Sequence, residues 1–146
     1  MSGSRGTSFV ELMVVMAVMS LLVGCLSLFL APMEGRLDGA ARSTEAFFRQ
    51  ARVTAMATTS AYRIRPADST TMIVETAGSC GAASWIVDDT LVLDLPRGIV
   101  LDDTGWTLCY GSRGTASANL LIGLQDEDGA MRDIEVLRGG TTRQQS

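Results

Sequence analysis

The stretch "SRGTSFVELMVVMAVMSLLVG", residues 4–24, decides the reading of this chain. A single carboxylate, Glu11, stands at the head of twenty uncharged, mostly apolar residues that run from Leu12 to Ala31. Wound as a helix at about 1.5 Å per residue, such a run is about 30 Å long, which matches the hydrocarbon core of a bilayer. An acid entering that core costs on the order of 2.5–3.5 kcal/mol near the centre and less towards the edge. On charge alone two readings of Glu11 stand side by side. It sits at interface depth near a helix N-terminus, where the macrodipole favours negative charge, or it meets a cation supplied from elsewhere.

The run is too long for the apolar core of a secretory signal, and "SLFLAPMEG" after it offers only Ala31 as a small residue for cleavage. Arg5 and the terminal amine precede it and no acid stands before Glu11, so the short leader is expected in the cytoplasm and everything after the span outside. The chain has 146 residues, which leaves room beyond the span for one modest domain.

Charged residues number 12 basic against 16 acidic, and every basic residue is Arg. Without His the commonest general base and metal ligand is missing. Without Lys there is no Walker-type phosphate loop, Schiff base or Ser-Lys pair. No nucleophile has a base in sight, so an enzyme is not expected, and neither is a metal or cofactor. Of the 3 cysteines, Cys25 lies in the apolar run and behaves as a small hydrophobe. Cys80 and Cys109 fall in the outer portion, where an oxidising compartment favours joining them; closing that loop of about thirty residues is worth about 3–4 kcal/mol. Two unrelated buried thiols are the alternative.

Pro32, with Gly35 and Gly39 behind it, suggests a bend or local unwinding after the span. Helical spacing then resumes: Leu37, Ala41, Thr44, Phe48, Ala51 and Ala55 share one face, while Arg36, Arg42, Glu45, Arg49 and Arg52 occupy the others. "AYRIRP" (61–66) and "TMIVETA" (71–77) read as strands, and "SWIVD", "TLVLDLP", "GIVL" and "TLCY" continue the series. "ANLLIGLQ" and "MRDIEVL" flank "DEDGA" as a hairpin, with Ile134 and Val136 facing inwards. A long helix followed only by strands is an α+β arrangement.

Some tempting motifs have plainer explanations. Asp103-Thr104-Gly105 has the form of an aspartic protease triplet, but that chemistry needs two, and a turn accounts for one. Asp88 and Asp89 are neighbours on a strand and point to opposite faces. Asp126 to Gly129 would begin a calcium loop of about twelve residues only if an acid closed it, where Leu137 stands. Met13, Met16 and Met19 face lipid or neighbouring helices.

The segment "RGTSFVEL" resembles the class III leader of type IV pilins and pseudopilins. In that family prepilin peptidase cuts after a Gly, the new terminus is N-methylated, and a Glu stands fifth in the mature chain. The resemblance implies cleavage between Gly6 and Thr7, methylation of Thr7 and an assembly role for Glu11. Phe or Met is the usual first mature residue, where this chain has Thr7. It also supplies the missing cation: the Thr7 ammonium of a neighbouring subunit can meet the buried Glu11.

Beyond the helix the chain is similar to the minor pilins and pseudopilins of the GspH/FimT type, through Ala51, Arg52 and Ala55, "LPRGIVL" (95–101), "LCYGSRGTAS" (108–117) and "VLRGGTTRQ" (136–144). Some FimT-type pilins bind DNA through a C-terminal Gly-Arg-x-Arg motif. Here Gly140, Thr141, Thr142 and Arg143 keep only its last Arg, with Arg138 nearby. On a mobile tail, Arg138 and Arg143 would give weak, salt-sensitive DNA binding; a solvated tail with no specific role is the alternative.

The expected organisation is thus a prepilin leader 1–6, a transmembrane and filament-core helix 7–31, an amphipathic continuation 32–60, and a β-rich head 61–146 with a short C-terminal tail. The fold class is α+β, a long N-terminal helix packed on an antiparallel β-sheet head. Expected partners are other pilin or pseudopilin subunits, prepilin peptidase, the inner-membrane assembly platform and, weakly, DNA. The implied function is that of a minor pilin or pseudopilin, assembled into or initiating a type IV pilus with a role in DNA uptake or adhesion, and anchored first in the bacterial inner membrane by one pass. The alternatives are a type II secretion pseudopilin, or a membrane-anchored extracytoplasmic binding module or enzyme.

Overall fold

The structure is a computed structural model that describes residues 9–29 and 33–145. It divides into two units, Met1–Met33 and Glu34–Ser146. In the first, helix α1 (Phe9–Phe29) carries Glu11 in its first turn. Leu12, Met13, Val15, Met16 and Met19 are all exposed, so the helix has no polar face over this length. The side chains of α1 are described as far as Ser20. Among the described residues no helix is long and apolar enough to cross a membrane. The leader, including Gly6 and Thr7, and the bend expected at Pro32 lie outside the described residues.

In the second unit α2 (Met33–Thr58) begins the head. Gly35 and Gly39 lie inside this helix rather than loosening it, which corrects the sequence expectation of unwinding there. Its small and aromatic stripe is buried throughout: Leu37, Ala40, Ala41, Thr44, Phe47, Phe48, Ala51 and Ala55. The alanines let the helix approach the strands closely, and Phe48 fills the gap against Trp106, with ring centroids 6.0 Å apart. Thr59 takes a left-handed φ of 54°, and Ser60 N–H donates to the Ala55 carbonyl at 3.2 Å, which closes the last turn.

Eight strands follow among the described residues, in two four-stranded antiparallel sheets where the sequence suggested one. They are β1 (Ala61–Pro66), β2 (Thr71–Ala77), β3 (Ile86–Asp94), β4 (Ile99–Leu101), β5 (Leu108–Tyr110), β6 (Leu120–Asp126), β7 (Met131–Val136) and β8 (Thr142–Gln145). The first sheet has the order β3-β2-β1-β5 and the second β4-β6-β7-β8. The stretches "SWIVD" and "TLVLDLP" are parts of one strand: between Ile73↔Val92 and Glu75↔Val87 the register slips, and Asp88 Oδ1 accepts from Thr90 N–H at 3.0 Å to stabilise the bulge. Residues 142–145, expected as a tail, pair with β7 as an edge strand. One core joins α2 to the inner faces of both sheets through Phe48, Ile64, Val74, Leu108, Ile122, Leu124, Ile134 and Val136.

Candidate assembly and interaction sites

Glu11 is held by α1 amid exposed aliphatic and methionine side chains, and among the described residues no cation pairs with it. Among the described residues the pattern is thus an acid without a cation on an exposed apolar helix surface.

The head has three further clusters. Cys80, in the β2–β3 loop, is bonded to Cys109 on β5, with their Cα atoms 5.9 Å apart. Cys109 lies opposite Arg63 of β1, so it belongs to the outer face of the first sheet; the loop reaches from the β2 end across β1 to fasten there. On the same face Arg63 and Arg65 grip Glu75, which lies directly across from Arg63 on β2. Arg63 Nε donates to Glu75 Oε2 at 2.7 Å, and Arg65 NH2 to Oε1 at 3.1 Å. Burial of Glu75 works to raise its pKa, but the hydrogen bonds and charges of Arg65 and Arg63 outweigh it and hold the carboxyl below the ordinary range. The contribution of this cluster to stability is therefore present above the usual Glu value and lost as pH falls through the lowered one. The Arg63 guanidinium also lies 4.2 Å from the centre of the Trp85 ring, whose Nε1–H donates to the Ala82 carbonyl at 3.1 Å.

The third cluster gathers motifs far apart in the chain. Arg52 of α2 donates from Nε to the Gly114 carbonyl at 2.9 Å and from NH2 to the Gly139 carbonyl at 3.0 Å. It thereby clamps the β5–β6 and β7–β8 loops onto the helix, and Ala116 N–H donates to the Arg138 carbonyl at 3.0 Å between them. Arg113 and Arg138 are borne on these two loops. Arg143 lies on β8, where it pairs with Glu135 at 2.6 Å, and Thr142 and Gln144 of that strand reach Glu45 of α2.

The remaining tempting motifs are turns. Asp103 Oδ1 accepts from Gly105 N–H at 2.8 Å, and the Asp103 carbonyl takes Trp106 Nε1–H at 2.9 Å. Asp126 Oδ1 caps its hairpin by accepting from Asp128 and Ala130 N–H groups, and Gly129 has φ 82°. Among the described residues no group of His, Cys, Asp or Glu is arranged to hold a metal ion. The Arg63–Glu75–Arg65 cluster was not read from the sequence; its signal is the Arg-x-Arg spacing in β1, which puts both side chains on one face.

No protein-family model matches the chain, and no curated protein matches it. Among solved structures it is similar to the minor pseudopilin EpsH from the Type 2 Secretion System of Vibrio cholerae, at 15% identity and a TM-score of 0.58, over 76% of this chain and 97% of that one. It is also similar to the type IV minor pilin FimU of Pseudomonas aeruginosa, at 17% identity and a TM-score of 0.60, over 77% of this chain and 90% of FimU. A second crystal structure of FimU gives 15% identity and a TM-score of 0.59, over 75% and 93% of the two chains. At these identities the likeness is one of fold: the chain has the α+β pilin-like fold of these solved minor pilin and minor pseudopilin structures.

Proposed function

We propose that this chain is a non-enzymatic filament subunit, a minor pilin or pseudopilin that prepilin peptidase cuts between Gly6 and Thr7. The observation that carries the reading is Glu11, an acid with no cation beside it among the described residues, on an apolar helix in a chain whose head has the fold of known minor subunits. Its complement is the methylated Thr7 ammonium of a neighbouring subunit. Leu12–Ala31 supports one pass through the bacterial inner membrane, with the head outside the cytoplasm. Extraction from the membrane by the assembly platform then exchanges lipid contacts of α1 for contacts with other subunits.

Both a type IV pilus and a type II secretion pseudopilus are compatible with this role. DNA contact is a second reading, favoured at Arg138 rather than Arg143: Arg138 and Arg113 are borne on the two loops that Arg52 clamps, whereas Arg143 is engaged with Glu135.

The test is the N-terminus of the full-length chain produced with and without prepilin peptidase, read by intact mass. Loss of residues 1–6 only when the peptidase is present is expected; Met1 still attached in its presence overturns the proposal. In the same system Glu11→Val should stay in the membrane fraction but fail to enter filaments, because the neighbour's ammonium loses its counter-charge.

A further inference from the structure

The two halves of the disulfide are held very differently. Cys109 is only 6% exposed and is fixed along both edges of β5. On one edge it stands in register with Arg63 of β1. On the other its N–H donates to Ser117 Oγ at 3.1 Å and its carbonyl accepts from Ser117 N–H at 2.8 Å.

Cys80 is exposed, in the loop of residues 78–85. Gly78 and Gly81 stand on either side of it, and a Cβ at either would meet nothing within 4 Å, so the backbone around Cys80 faces open space. Ala82 N–H donates to the Ser79 carbonyl and Trp85 Nε1–H to the Ala82 carbonyl, each at 3.1 Å, and both bonds run within the loop. One sulfur is therefore carried on an accessible loop and the other on a pinned, covered strand.

This asymmetry decides the order in which the bond is made. Thiol–disulfide exchange passes through a mixed disulfide, and which sulfur enters it depends on access. A protein-sized oxidant joined at Cys109 would stand on the ground that the 78–85 loop must cross to bring Cys80 in. Joined at Cys80, it stays outside the loop, while Cys109 waits at a fixed place on the sheet.

We propose that the head is the substrate of an extracytoplasmic thiol–disulfide oxidase that engages Cys80, with Cys109 as the resolving thiol. The class of partner rests on the reading above of the head as lying outside the cytoplasm; the choice of cysteine rests on the loop and strand geometry alone. The Cys80 thiolate attacks the oxidase's disulfide, whose S–S bond breaks, and the sulfur released takes up the proton that Cys80 has lost. Cys109, as its thiolate, then attacks Cys80 Sγ. The mixed disulfide breaks, the oxidase leaves as a dithiol with both protons, and Cys80–Cys109 closes. Two electrons thus pass from the two thiols of the head to the disulfide of the oxidase.

The test uses the full-length Cys25→Ala chain in detergent with its Cys80–Cys109 bond intact, because the reverse reaction passes through the same mixed disulfide. The probe is a reduced thioredoxin-fold protein whose second active-site cysteine is Ala, added in native buffer and quenched with an alkylating reagent that blocks the released thiol. Peptide mass spectrometry should find the probe on Cys80 about tenfold or more over Cys109, a preference that falls towards one in urea, where access is equal. The bonded chain is folded, so this arm does not depend on the stability of a variant that lacks the bond. In acid-quenched cells Cys109→Ala should be recovered in a mixed disulfide with a thiol oxidase, and Cys80→Ala should not. The probe chiefly on Cys109, or the same ratio in buffer and urea, overturns the inference. Recovery of the cellular adduct from Cys80→Ala, or from neither variant, overturns it too. Intact mass of the chain from cells with prepilin peptidase keeps the two readings apart. Residues 1–6 retained with the probe on Cys80 removes the filament reading alone, and their loss with the probe on Cys109 removes this inference alone.

Discussion

Tyr110 carries its hydroxyl into the core, where the oxygen has no hydrogen-bond partner among the described residues. Burial raises its pKa to about 12, and the nearby Arg52 charge opposes the rise without cancelling it. A buried hydroxyl without a partner contributes nothing through hydrogen bonding, so Tyr110→Phe is expected to be neutral or to stabilise the head by up to about 1 kcal/mol at pH 7. The pH dependence separates this from simple packing. The unfolded tyrosine ionises near its ordinary value while the folded one keeps its proton to about 12. The unfolded state is therefore favoured as pH climbs through that window, and the parent should lose about 2–3 kcal/mol relative to the Phe variant across it. Urea titrations of both proteins at several alkaline pH values measure the difference; parallel curves would contradict the assignment. From the sequence Tyr110 reads only as an aromatic strand residue in "TLCY", because whether a hydroxyl finds a partner depends on atoms far away in the chain.

At the scale of elements, the Arg52 clamp explains why glycines recur in the two loops it holds. Gly140 has φ 81°, and a Cβ there would lie 2.2 Å from the Gly114 carbonyl oxygen and 2.5 Å from Arg52 Nε. Gly139, its neighbour, meets nothing within 4 Å and needs no left-handed backbone. Gly140→Ala is therefore expected to cost about 2–4 kcal/mol, combining left-handed strain with displacement of the clamp, whereas Gly139→Ala should cost under about 1 kcal/mol. Thermal denaturation of the pair decides it; equal losses would mean that the clamp is not what the glycine serves. The pieces of this arrangement were visible in the sequence as Ala51-Arg52 with Ala55, "YGSRG" and "RGG". Their meeting was not, since contacts separated by 62 and 87 residues leave no local periodicity. Polar composition hid β8 for a related reason: as an edge strand it needs few apolar residues, and Thr142 and Gln144 are spent on Glu45.

Across the whole molecule, legibility follows the range of the interactions. The apolar run, the helix stripe from Leu37 to Ala55 and the β6–β7 hairpin are set by spacing within a few residues, and each was read from the sequence. The division into two sheets depends on β1 pairing with both its neighbour β2 and the distant, three-residue β5. No local pattern specifies that. The same partnership determines what the disulfide does. Cys80–Cys109 spans 29 positions and anchors a surface loop to the far edge of the first sheet, while Ile64, Leu108 and Tyr110 pack beneath it without its help. Replacing both cysteines by Ser should therefore lower the stability of the head by about 3–4 kcal/mol, the chain-entropy value for a loop of this length, yet leave the sheet intact. Circular dichroism should show the same strands with an earlier denaturant midpoint. Hydrogen exchange should rise in residues 78–85, and Trp85 fluorescence should change as its stack with Arg63 loosens. If the midpoint does not move, the loop is held by its own packing and the bond adds nothing. If the strands are lost altogether, the bond rather than the core between α2 and the two sheets maintains the fold.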